Sequence, residues 1–259
     1  MGRGRLSRLL AVAANTFRET VRERVLYNLV FFAILMTLSG LLLGQLSIRQ
    51  DEKIIKDVGL AAMEFFGILI AIFIGVGLVS KEVERRSIYP LLAKPLGRGE
   101  FFLGKFLGLS FTLLVNVGLM TVGLGLTLLA TGRPADPSLL DAVYPIYLGL
   151  LLVVALAMMF SSITSSALAT VFTVGVVIAG RYSDVIRNMR EVAPGAPAWL
   201  TQLLYYALPN FRHFDFKDRV AYGDPVPAAA LAWVTLYGLS YVAFALVIGL
   251  LAFRARDFQ

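Results

Sequence analysis

The sequence predicts an all-α fold of the polytopic membrane class, with six transmembrane helices and interfacial helices between them. Three observations carry this. Of 259 residues, 58% are hydrophobic and only 16% charged, with a mean hydropathy of +0.76, whereas soluble globular domains carry roughly 25% charged residues. The apolar residues fall in long runs free of charge, and a hydrocarbon core about 30 Å thick needs roughly 20 of them per helical span. The 24 basic residues gather in a few segments between those runs, as topology signals do. This balance excludes an ordinary soluble enzyme and a disordered chain. A net charge of +7 on a soluble protein would point to nucleic acid; in so apolar a chain it sets orientation, and no nucleic-acid partner is expected. With no cysteine and the single histidine His213, there is no material for a disulfide framework, a thiolate site or a histidine cluster, so no metal is expected.

From the amino terminus, residues 5–24 form an amphipathic elbow helix: Leu6, Leu10, Ala13, Phe17 and Val21 share a stripe, opposite Arg8, Asn15, Arg18, Glu19 and Arg22. Such a helix is expected to lie in the cytoplasmic interface, arginines toward anionic headgroups, although a basic topology flank would read the same way. The first span is 25–48, and the basic stretch before it is too long for a secretory signal peptide. The second, 58–80, holds one acid, Glu64. A charged loop, 81–105, separates it from the third span, 106–132. Residues 142–180 are 39 without a charge, about 58 Å as a helix, which is twice the bilayer core. That run must fold back, and Ser161-Ser162-Ile163-Thr164-Ser165-Ser166 is its only polar cluster, so spans four and five are placed at 142–160 and 167–180. The outer segment 181–224 contains a charge-free piece, but Pro194, Pro197 and Pro209 leave it a helix of only about 198–208, interfacial or re-entrant. With 6 basic and 5 acidic residues and many aromatics, the segment is expected to lie as a cap on the outer leaflet. The sixth span is 225–253.

Arginine and lysine then orient the bundle. With the amino terminus inside, inner segments hold 14 basic residues, short outer loops hold four, and six lie in the long outer segment, which weighs less in the rule. Both termini are expected in the cytoplasm.

Chemistry concentrates in few places. Glu82 and Glu84 are read as lying near a helix start, where acids suit the dipole, with Pro90 and Pro95 breaking the helix beyond them. Tyr89, Leu91, Leu92 and Leu96 among charges make a better docking surface than a solvated loop, although a basic inner loop packed on its own bundle is the ordinary alternative. The run Glu82-Val-Glu-Arg-Arg-Ser-Ile-Tyr-Pro-Leu-Leu-Ala-Lys-Pro-Leu-Gly-Arg98, then Phe101-Phe102-Leu103-Gly104-Lys105, resembles the first cytoplasmic loop of type-2 ATP-binding-cassette (ABC-2) exporter permeases. Phe17–Tyr27 resembles their amino-terminal elbow, and Leu208–Asp215 a segment before their last span. Within that family the closest likeness is to permeases of the copper-enzyme (nitrous oxide reductase) maturation type. One departure is Arg86-Ser87, where many members carry Gly-Thr.

The resemblance implies a half-transporter in the bacterial cytoplasmic (inner) membrane, working as a dimer with a second copy of itself. Two copies of a separate ABC ATPase subunit, which bind the ATP and Mg²⁺, would dock on the 81–105 loop. Carried over residue by residue, the docking positions are Glu82, Glu84, Arg85, Arg86, Tyr89, Leu92, Lys94, Pro95 and Arg98. No enzymatic activity is expected in this chain: Gly99–Lys105 matches G-x-x-x-x-G-K, but Phe106 replaces the Ser/Thr and no strand precedes it. The alternatives are a membrane scaffold or channel without an ATPase and, less so, an intramembrane enzyme, for which G-x-S-x-G and H-E-x-x-H are both missing. Two intramembrane positions are candidates for a substrate path. Glu64 could line it, snorkel, or bond a neighbouring helix, and Asn116 could serve it or act as interhelical glue. Gly40/Gly44, Gly104/Gly108 and Ser161/Ser165 are spaced for close helix approach. The substrate is not legible, although so few soft or imidazole ligands disfavour a copper conduit.

Overall fold

The computed structural model describes residues 2–20, 31–32, 51–85, 97–133, 136–187 and 197–255. Among them every regular element is helical: α1 (Gly2–Thr20), α2 (Asp51–Arg85), α3 (Arg98–Ala130), α4 (Leu139–Ile163), α5 (Ser166–Arg181), α6 (Ser183–Arg187), α7 (Ala198–Ala207), α8 (Lys217–Tyr222) and α9 (Ala228–Ala255), with a 3₁₀ turn at Phe211–Phe214. Four stretches are long and apolar enough to cross a membrane: Glu52–Gly77, Arg98–Ala130, Leu139–Ile163 and Ala228–Ala255. The expected spans at 58–80, 106–132, 142–160 and 225–253 fall on these. The span expected at 25–48 lies outside the described residues except for Phe31 and Phe32. The fifth expected span corresponds to α5, whose 16 residues reach about 24 Å, short of the core by itself.

The fold-back falls where the polar cluster predicts it. Helix α4 ends at Ile163, Thr164 and Ser165 take extended backbone, and α5 starts at Ser166. Ser162 and Thr164 donate their hydroxyls to the carbonyls of Met158 and Phe160 at 2.8 and 2.9 Å, satisfying the polar groups without a partner helix. The core is built where α4 lies between α2 and α9: α4 is the most enclosed helix, with Leu150, Leu152, Val154 and Met158 inaccessible or nearly so.

Neighbouring helices run up and down. At one end Phe101 and Phe102 of α3 meet Phe253 of α9, and Gly249 packs on Met159. At the other end Lys56 of α2 bonds Asp136, in the connection between α3 and α4. Helix α1 belongs to the first end. It runs in the same sense as α3: a Cβ on Gly104 would stand 2.8 Å from that of Val12, one on Gly108 would stand 2.6 Å from the carbonyl oxygen of Ala13, and Phe17 meets Phe111 at 4.8 Å. The Gly104/Gly108 pair is therefore a helix–helix contact, as its spacing implied, whereas Gly40/Gly44 lies outside the described residues. The amphipathic reading of α1 needs correcting in phase. Thr16 and Thr20 are the buried positions, Leu10 of the expected stripe is exposed, and Arg8, Asn15, Arg18 and Glu19 face outward as expected. Thr16 is buried against α3 because Gly108 there admits close backbone approach, with Phe17 packing beside it on Phe111.

Part of the segment expected to cap the outer leaflet enters the bundle. Phe211 and Phe214 are both 3% exposed; Phe214 packs on Gly149 and Gly238, and Phe211 on Gly180. Each of these glycines lies well inside its helix or at its last turn, so the chain dips between α4, α5 and α9 before α8 climbs back along α2 to put Tyr222 under Lys53, 4.9 Å from its ammonium. Aromatic wedges at Phe211 and Phe214 exclude water from a joint that charge balance alone made look superficial.

Candidate functional site

The dip brings charges together. Glu64 stands on the inward face of α2, 9% exposed. Arg181, last residue of α5, sends Nη1 to Glu64 Oε1 and Nη2 to Oε2, the latter at 2.7 Å. Lys217, first residue of α8 and 8% exposed, donates Nζ to Oε2 of the same carboxylate. Asp215 completes the group, 3.6 Å from Lys217 Nζ and 4.0 Å from Arg181 Nη2. Two acids and two bases thus cancel. Leaving water costs several kcal/mol per ion, and only pairing with hydrogen bonds offsets it. Three segments far apart in sequence are joined by that necessity. A cavity of about 10 Å³ borders Glu64 between Gly149, Phe211 and Phe214, room for about one water. Glu64 is thus bonded to neighbouring helices in this structure, the arrangement that the interhelical alternative describes.

Asn116 is 1% exposed, and neither of its side-chain polar atoms has a hydrogen-bond partner. It shares the buried face of α3 with Leu109, Leu113 and Met120. The structure does not join it to Glu64 through any described contact.

Of the expected docking positions, the four that are described, Glu82, Glu84, Arg85 and Arg98, lie at the opposite end. Glu82, Glu84 and Arg85 continue α2 to its last residue, so the reading of the two acids as a helix start is overturned. They occupy a carboxyl-terminal turn, where acids oppose the dipole. The charges end the apolar run without ending the helix. Arg86, Tyr89, Leu92, Lys94 and Pro95 lie outside the described residues. Arg98 opens α3, and its Nη1 donates to the carbonyl oxygen of Arg254 at 2.8 Å, satisfying an acceptor in the last turn of α9. The expected loop 81–105 is thus narrower: Arg98–Lys105 is helix. Gly99–Lys105 lies inside α3, so no phosphate-cradling loop forms, and Lys105 is buried with its ammonium 4.7 Å from the Phe101 ring. His213 stacks edge-on against Tyr237 at 5.0 Å, an aromatic contact. Among the described residues no group of three or more metal-ligating side chains occurs.

A family model described as ABC-2 family transporter protein matches residues 10–258. The chain belongs to the ABC-2 transporter family. The match spans α1, the ion cluster and α9 alike, so the whole ABC-2 chain is a membrane transport component of a kind that normally works with an ABC ATPase and is generally not itself catalytic. It reaches the family and gives no support to the copper-enzyme maturation type within it. A comparison with curated proteins returned no match.

The cluster was half visible in sequence. Glu64 stands out as an acid in an apolar run, but its partners at 181, 215 and 217 lie more than 100 residues away. Lys217 in a Phe-rich stretch is the one local signal that a charge is needed in a buried place there.

Proposed function

We propose that the chain is the permease subunit of an ABC exporter, in which two copies enclose the translocation pathway and two ATPase subunits, holding the ATP and Mg²⁺, dock on the 81–105 segment. One observation carries the reading: the two candidate spans α2 and α3 converge on that segment at the end where α1 and the end of α9 also lie, opposite the ion cluster. A push received there would travel back along α2 from Arg85 to Glu64, about 32 Å of continuous helix, to the cluster that anchors the dip. Six spans are supported by the ends of the described residues. Helix α1 packs along the first turns of α3, Phe31 and Phe32 lie midway against Phe66 and Gly123, and α2 starts at the far end. On this reading the 81–105 end faces the cytoplasm of a bacterial inner membrane, and Glu64 serves the path indirectly, by holding the dip.

Docking is tested by co-purification with candidate ABC ATPase subunits from the same source. Tyr89→Asp with Arg86→Glu should abolish capture while leaving the permease monodisperse; undiminished capture would move the docking surface elsewhere. Arg98 is left intact there because its bond to Arg254 belongs to the fold.

A further inference from the structure

A groove of about 390 Å³ opens beside α6 and α7, lined by Arg187, Gln202, Tyr205 and Tyr206. Its depth is set by α9: Tyr241, in the middle of that helix, donates its hydroxyl to the carbonyl oxygen of Tyr206 at 3.4 Å. The groove therefore flanks the bundle within the span of α9, on the ion-cluster side. The cations around it are otherwise spent. Arg181 and Lys217 pair with Glu64, and Arg212 pairs with Asp184. Arg187 has no acidic partner among the described residues; its guanidinium lies over the Tyr205 ring at 5.9 Å. An arginine beside a membrane that meets no counter-charge among the described residues is a costly one, and here the fold leaves it exposed at the mouth of a groove. A guanidinium supplies forked donors suited to phosphate, Gln202 and the tyrosine hydroxyls add donors, and Trp199, Leu203 and Tyr206 stand exposed on one stripe of α7 at the spacing of a face that meets acyl chains.

We propose that this groove binds an amphiphile with a phosphate headgroup, the headgroup on Arg187 and the chain along the Trp199–Leu203–Tyr206 stripe. The site rests on the membrane placement of the bundle and is independent of ATPase docking, so either can fail alone. Charge complementarity selects an anion, and the adjoining aromatic stripe selects one with a hydrocarbon tail over free phosphate.

The chain has two tryptophans, so Trp233→Phe leaves Trp199 as sole reporter. In nanodiscs containing brominated phosphatidylglycerol or brominated phosphatidylcholine, Trp199 should be quenched preferentially by the anionic lipid. Arg187→Gln should weaken that preference about fivefold, the effect of one basic residue at an anionic surface, and Arg187→Lys should restore most of it. Dodecyl phosphate should displace the brominated lipid, whereas inorganic phosphate at the same concentration should not. Displacement by dodecyl phosphate without any preference for phosphatidylglycerol would support the site and assign it to a single-chain amphiphile instead of a bilayer lipid. Equal quenching by both lipids with no dodecyl phosphate effect, or a preference unchanged by Arg187→Gln in a protein of unaltered circular dichroism, would overturn the proposal.

Discussion

At Glu64, two cations share one carboxylate, and the consequence is unequal sensitivity to substitution. Glu64→Gln leaves Arg181 and Lys217 facing each other with only Asp215 near, so it should cost about 3–5 kcal/mol, as for a broken buried pair. Lys217→Met removes one cation yet leaves Arg181 on Glu64, and should cost less. The double variant should be milder than the sum of the two, because Lys217, one of the two cations that Glu64→Gln strands, is already gone. Thermal unfolding in detergent checks this; additive losses would mean the cluster is not one unit. A second charge site behaves differently with pH. Asp136, between α3 and α4, is held at about 2 by the hydrogen bond from Lys56 and those from Ser138. Its folded value lies below its unfolded one, so its contribution is fully present above about pH 4 and fades as pH falls through about 2. Stability of the wild type should drop across that acid window more than that of Asp136→Asn, measured by melting temperature against pH.

Helices bear on one another here through small residues, and this gives predictions with an internal control. Any side chain at Gly108 meets the carbonyl oxygen of Ala13 and the Cβ of Thr16 at 2.6 and 2.7 Å, whereas a Cβ at Gly118 of the same helix meets nothing within 4 Å. Gly108→Val should detach α1, exposing it to limited proteolysis while the bundle still melts cooperatively; Gly118→Ala should do neither and gain slightly from helix propensity. Gly180 makes the tightest approach, its would-be Cβ 2.1 Å from the carbonyl oxygen of Pro209. Gly180→Ala must therefore displace the dip, and loosening there would carry Arg181 away from Glu64. Helix starts and stops were legible where local chemistry decides them, as at Thr164-Ser165 between α4 and α5. They were misplaced at Arg85 and Arg98, because a charge ends a hydrophobic run without ending a helix whose hydrogen bonds continue into water.

Across the molecule, the arrangement assigns sides that single cysteines can test, since the native chain has none. Ser87→Cys should react with an impermeant maleimide only after the membrane is opened, and the exposed Asp224→Cys should react from outside in intact cells. Labelling of both from the same side would refute the up-and-down order. The sequence by itself determined that this is an all-helical membrane chain, where four of its apolar spans run, where the long apolar stretch turns, and through the 82–105 pattern which family it resembles. Those properties are local or statistical: a span is a run of about 20 apolar residues, and a turn is a polar break within one. Tertiary structure alone decided that Glu64 is neutralised by Arg181 and Lys217, that Phe211 and Phe214 are wedges, and that α1 meets α3 through Thr16. Each depends on which distant residue arrives opposite, and a buried charge or a bare glycine states a demand that only packing can answer.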